Sequence, residues 1–97
     1  MSERPYRGVF TIPVTPFADD GELDLPGLEK TVRYCIDAGA HGLVAPVNAS
    51  EFSTLSDAER RLVVETVAKT NDGALPFVAS ASAVSAEVAA TFARHAA

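Results

Sequence analysis

Few side chains in this sequence can do covalent or proton-transfer chemistry, and their spacing is the first constraint on function. Lys30 and Lys69 are the two amines that could form a Schiff base with a carbonyl compound. Both fall on polar positions of helical patterns, and nothing near them in sequence would desolvate the amine or lower its pKa, so they read as solvated helix faces. Cys35, the single cysteine, lies on the apolar face of a helical pattern and reads as a small buried hydrophobe. His41 and His95 are far apart, without a paired carboxylate at ligand spacing, so no metal site is expected. The sequence has no phosphate loop, no dinucleotide glycine fingerprint and no Cys-x-x-Cys, so no cofactor is expected either. What remains is hydroxyl and amide chemistry in connecting segments. Thr15 precedes Pro16, the loop Asn48-Ala-Ser-Glu-Phe-Ser-Thr54 is polar, and Ser80 and Ser82 sit among small residues.

These segments are held by a strand–helix alternation repeated three times. Gly8–Val14 is β-branched and aromatic, with Pro13 and Pro16 limiting the strand because neither can donate to a ladder. The turn signal Asp20-Gly21 follows. Asp24 can cap a helix with Leu25, Leu28, Val32, Cys35 and Ile36 on one face, and Gly39 supplies a left-handed stop. Gly42–Val47 is a second strand. Ser56-Asp-Ala-Glu59 is a capping box opening a helix whose buried stripe is expected at Leu62, Val63, Thr66 and Val67, with Asn71-Asp-Gly73 ending it. Leu75–Ala79 is the third strand, and a helix from about Ser85 should bury Val88, Ala89, Phe92 and Ala93. Such alternation gives parallel strands with right-handed crossovers, an α/β fold. The last helix pattern has no stop signal in Ala93–Ala97, and three parallel strands leave open edges, so the chain is expected to be part of something larger.

Composition excludes other classes. The chain has 97 residues, 47% hydrophobic and 22% charged, too apolar for disorder. A net charge of −5 repels phosphates, so no nucleic-acid partner is expected. No window approaches the ~20 apolar residues of a membrane span, and MSERPYRGVF lacks the apolar core of a signal peptide. With one unpaired cysteine, the expected location is the cytoplasm.

Several segments in order carry a resemblance. Val14-Thr-Pro-Phe17, the Asp24-Leu25 helix start, Asp37-Ala-Gly39, Glu51-Phe-Ser-Thr-Leu-Ser56 with Glu59 and Arg60, and Leu75-Pro-Phe-Val78 are similar to the N-terminal part of the dihydrodipicolinate synthase / N-acetylneuraminate lyase family, from about Tyr6 onward. The resemblance implies a (β/α)8 barrel of about 250 residues. Residues 1–97 would then be roughly the first three βα units of a single barrel domain, truncated. It implies Schiff-base aldolases or dehydratases acting on 2-oxo acids such as pyruvate, usually as homotetramers. The family's Schiff-base lysine ends the sixth strand and its relay tyrosine the fifth. No catalytic residue is therefore expected in this chain, which should be inactive alone, with Thr15 as pocket support.

In such a barrel the site lies at the C-terminal strand ends, which places Ile12–Thr15, Val47–Glu51 and Ser80–Ser82 around its mouth. Relatives carry Gly-Thr-Thr-Gly-Glu after the second strand, holding the carboxylate of the 2-oxo acid. Aligned on Glu51, this chain reads Val47-Asn48-Ala49-Ser50-Glu51, and only the glutamate matches. By resemblance Asn48, Ala49, Ser50 and Glu51 are the substrate-binding residues, with Asn48 and Ser50 able to offer donors. Ala49 cannot replace a relay hydroxyl. This departure favours a divergent aldolase or hydratase-aldolase over lysine-biosynthetic condensation. The competing reading is a non-catalytic small α/β protein, or an inactive relative, that self-assembles or binds a partner. Local alternatives also stand. Glu51 either orients its loop through backbone N–H groups or touches substrate. Thr15 either reaches toward the relay or caps its strand, and the serines either line the pocket or cap a helix.

Overall fold

Asp24 opens the first helix as its position demands: its Oδ1 accepts the Gly27 N–H at 2.9 Å, with Pro26 in the first turn where its missing donor costs nothing. The computed structural model describes residues 7–97, in which this helix, α1, spans Leu25–Asp37. The first residues of the MSERPYRGVF segment, and Tyr6, where the family resemblance begins, lie outside the described residues. The α1 C-terminus closes with paired hydrogen bonds, Gly39 N–H to the Ile36 carbonyl (3.1 Å) and Ala40 N–H to the Cys35 carbonyl (3.2 Å). That closure needs Gly39 in the left-handed region, at φ 93°.

Three short strands, β1 (Phe10–Thr11), β2 (Gly42–Ala45) and β3 (Phe77–Ala79), form one parallel sheet in the order β1-β2-β3. β1 is shorter than the Gly8–Val14 run, and β3 begins after Pro76 because prolines flank both ladders without donors. Phe10 pairs with Gly42, and any Cβ at Gly42 would run into the Phe10 ring. α2 (Asp57–Asn71) and α3 (Ala86–Ala96) complete the alternation.

The sheet has one covered face. Leu43 and Ala45 pack with Leu28, Val32 and Cys35 of α1, Val63 and Val67 of α2, and Leu55. Leu43 is fully buried, worth about 2–3 kcal/mol. On the other face Val44 and Val78 sit side by side in register, and Ile12 and Val78 are 39% and 42% exposed.

Two expected stripes are corrected. In α2 Leu62 faces solvent and Thr66 is half-buried; the buried positions are Arg60, Val63, Val67 and Asn71, spaced 3, 4 and 4 residues apart. Asn71 is buried because it clamps the following turn, donating to the Leu75 carbonyl (2.8 Å) and accepting its N–H (3.0 Å). In α3 only Phe92 is buried, while Val88 and Ala93 are exposed, because no further element among the described residues covers the rest of that helix. His95 there does meet a carboxylate, Glu65, at 2.7 Å.

Two measurements follow from this packing. The capping box is present in both directions, with Glu59 N–H to Ser56 Oγ at 3.1 Å and Ser56 N–H to Glu59 Oε1 at 2.8 Å. Ser56→Ala should therefore lower unfolding stability by about 1 kcal/mol in urea denaturation. Burial pushes the Cys35 thiol above its ordinary pKa. Less thiolate is then present at mildly alkaline pH, so alkylation of the native chain at pH 8 should be markedly slower than of the urea-unfolded chain.

Candidate functional site

The C-terminal ends of the strands are joined by two buried hydrogen bonds. Thr15 Oγ1 donates to the Ser50 carbonyl at 2.6 Å, and Ser50 Oγ donates to the Pro13 carbonyl at 2.8 Å. Thr15 is 4% exposed and Ser50 fully buried. The segment after β1 is thus fastened to the segment after β2, across 35 and 37 residues of sequence. The Thr15 hydroxyl serves the neighbouring loop.

Between β2 and α2 the chain makes two single 3-10 turns, Asn48–Ser50 and Phe52–Thr54. The Val47 carbonyl accepts from Ser50 N–H (3.0 Å) and Phe52 N–H (3.2 Å). Glu51 joins the turns in the left-handed region (φ 62°, ψ 38°), which costs a residue with a Cβ about 1–2 kcal/mol. Its backbone offsets this: its N–H donates to the Asn48 carbonyl (2.9 Å), and its carbonyl accepts from Thr54 N–H (3.0 Å) and Thr54 Oγ1 (2.9 Å). The Glu51 side chain is exposed, and it is the backbone of Glu51, rather than its carboxylate, that organises the loop. Asn48 and Ala49 lead the first turn, ahead of its first internal hydrogen bond, and both are exposed.

An open depression of about 530 Å³ lies here, lined by Ile12, Val44, Val47, Asn48, Ala49, Phe52 and Ser82. The structure thereby brings together one stretch from each of the three loops. It does not bring Thr15, Ser50 or Glu51 into the lining. Ser50 spends its hydroxyl on Pro13, so of the two expected side-chain donors only Asn48 faces the depression. In the third loop Ser80 Oγ contacts Ser82 Oγ at 3.2 Å and accepts Ser82 N–H at 3.3 Å, a local turn that leaves Ser82 at the rim. Ser85 caps α3 by accepting Val88 N–H at 3.2 Å.

Arg60, named in the sequence only among the residues that carry the family resemblance, has a structural role that its position there did not suggest. It is 5% exposed, donates from Nη1 to the Ser82 carbonyl (2.7 Å) and from Nη2 to the Ser80 carbonyl (3.4 Å), and lies 3.8 Å from the Phe92 ring centroid and 5.3 Å from that of Phe52. Burial lowers its pKa from the usual arginine range, with Asp57 acting in the opposite direction. Its presence among the residues that carry the family resemblance was the signal the sequence offered. Lys30 and Lys69 are exposed and do not line the depression, and His41 accepts the Val9 N–H on Nδ1 at 2.9 Å. Among the described residues no three His, Cys, Asp or Glu side chains cluster as metal ligands, and no helix is long and apolar enough to cross a membrane.

Parallel strands with crossover helices on one face form a segment of a (β/α)8 barrel, and the partly polar depression lies at the C-terminal ends of its strands. The chain belongs to the dihydrodipicolinate synthetase family, whose model matches residues 5–97. It is 38% identical over 85 residues to L-2-keto-3-deoxyarabonate dehydratase of Azospirillum brasilense, covering 88% of this chain and 28% of that protein. It is 41% identical over 91 residues to 4-hydroxy-tetrahydrodipicolinate synthase of Rhizobium meliloti, covering 94% and 31%. A prophage protein of the dihydrodipicolinic acid synthase family from E. coli K12, solved in complex with pyruvate, superposes with a TM-score of 0.89 at 27% identity, covering 94% of this chain and 30% of that one. The chain thus spans under a third of the length of these relatives, and the fold it shows is a partial barrel.

The Thr15 clamp is directly testable. Thr15→Val removes the donor while keeping shape, leaving the buried Ser50 carbonyl without it. Urea denaturation should show a loss of about 1–3 kcal/mol.

Proposed function

We propose that the depression is part of the substrate mouth of a Schiff-base lyase acting on a 2-oxo acid such as pyruvate. The observation that carries this reading is the convergence of Asn48, Ala49 and Ser82 on one recess at the C-terminal strand ends. The pyruvate complex of a family member supports it. In this reading the Asn48 amide and the backbone of the Asn48–Ser50 turn offer donors to the substrate carboxylate, and Ile12, Val44 and Val47 shield its carbon chain. The amine is not Lys30 or Lys69, which lie exposed on helices away from the recess. The residues of this chain hold and orient substrate, and turnover by the 97-residue chain alone is not expected.

Val47-Asn48-Ala49-Ser50 in place of Gly-Thr-Thr-Gly points to a divergent aldolase or dehydratase chemistry rather than the synthase condensation. Ala49 has no hydroxyl to pass a proton, and Ser50 directs its own away from the recess. The similarity to a sugar-acid dehydratase is consistent with that direction. Assembly as a homo-oligomer and a cytoplasmic location belong to the same proposal.

Titrating pyruvate into the isotope-labelled chain should shift the amide resonances of Asn48, Ala49 and Ser82 at millimolar ligand; silence at all three rejects the reading. Incubation with pyruvate and borohydride should leave the mass unchanged, and a reduced adduct on Lys30 or Lys69 would overturn this account of the amine.

A further inference from the structure

We propose that Arg60 is a positioning residue for the mouth, setting two of its walls from behind. The inference rests on the reading of the depression as the substrate mouth. Arg60 does not line that recess; Phe52 and Ser82 do, and Arg60 holds both. Phe52 comes from the loop after β2 and Ser82 from the loop after β3, so one side chain sets the spacing between two separate connections.

The chemistry argues that this is more than packing. A buried guanidinium is costly, and a methionine or leucine would fill the same volume without desolvating a charge. Here the charge has no carboxylate within ion-pair range among the described residues, and Nε is buried with no hydrogen-bond partner. What the guanidinium gains is a geometry that no apolar side chain or ammonium offers. Its two terminal nitrogens reach carbonyls two residues apart, Ser80 and Ser82, while its Cζ lies over the Phe92 ring at 3.8 Å and over the Phe52 ring at 5.3 Å. The short bond to the Ser82 carbonyl, at 2.7 Å, is the one that fixes the far end of the loop, since Ser80 is already tied to β2 through its N–H to the Ala45 carbonyl (3.0 Å) and the contacts between Ser80 and Ser82 are long, at 3.2 and 3.3 Å.

The test compares Arg60→Met, Arg60→Lys and Val67→Ala with the parent chain, reading carbonyl 13C shifts of Ser80 and Ser82, thermal midpoint, and pyruvate affinity. Arg60→Met should move both carbonyl shifts and weaken pyruvate binding about fivefold to tenfold, since a displaced wall misplaces the ligand. Arg60→Lys keeps the charge but has one nitrogen in place of a planar fork spanning both carbonyls, so it should restore less than half of that loss. Val67→Ala, in the core away from the mouth, should lower the thermal midpoint and leave affinity within about twofold, as distant sites act independently. Pyruvate binding by Arg60→Met at parental strength, or equal weakening by Val67→Ala, would overturn the proposal. If Arg60→Met does not fold, Arg60→Lys carries the same readouts. A parent chain that binds no pyruvate rejects the substrate reading instead; unmoved Ser80 and Ser82 carbonyls in the Arg60 variants then reject the positioning role, and moved ones uphold it.

Discussion

The exchange of hydrogen bonds among Pro13, Thr15 and Ser50 is the constraint on which the C-terminal end of the sheet depends. β1 pairs through only two residues, and the prolines beyond it have no N–H to extend the ladder. Without another tie, the segment after β1 would leave the sheet edge at Thr11. The Thr15 and Ser50 hydroxyls take over where the ladder stops, each donating to a carbonyl of the opposite segment inside the protein. Because both bonds are shielded from water, breaking either leaves a buried acceptor, and the two loops hold one spacing.

The division of labour between the two faces of the sheet follows from the same economy. Leu43 and Ala45 commit one face to α1 and α2, which gives the strands a rigid backing. Ile12, Val44 and Val78 leave the other face apolar and uncovered, as befits strands whose inward side chains belong to the interior of a closed barrel. The depression opens at the end of that uncovered face. A rigid back and an open front place the loops without the loops having to stabilise themselves.

Local signals were legible in the sequence wherever a side chain acts on its own neighbours. Asp24, Ser56, Glu59, Ser85 and Gly39 all do what their types and spacing suggest, and the parallel pairing of the strands followed from the alternation. What was not legible depends on partners distant in sequence. Periodicity counts apolar residues, so Arg60 and Asn71 were invisible as members of the buried α2 stripe, although they occupy its two ends. α3 reads as amphipathic, yet the chain supplies a neighbour for only part of its face. At the candidate site the resemblance located the loops, while the burial of Ser50 and the left-handed backbone of Glu51 depend on contacts with Pro13, Thr15 and Thr54 that no spacing rule encodes.

The turn at 47–51 separates its frame from its display. Ser50 and the backbone of Glu51, with the Asn48 carbonyl, fix the shape of the turn, whereas the side chains of the exposed Asn48 and Ala49 take no part in its hydrogen bonds. Such a turn can exchange its two presented side chains while its path stays the same. The side chains at positions 48 and 49, both on the rim of the depression, can therefore vary with little effect on folding, on an unaltered scaffold.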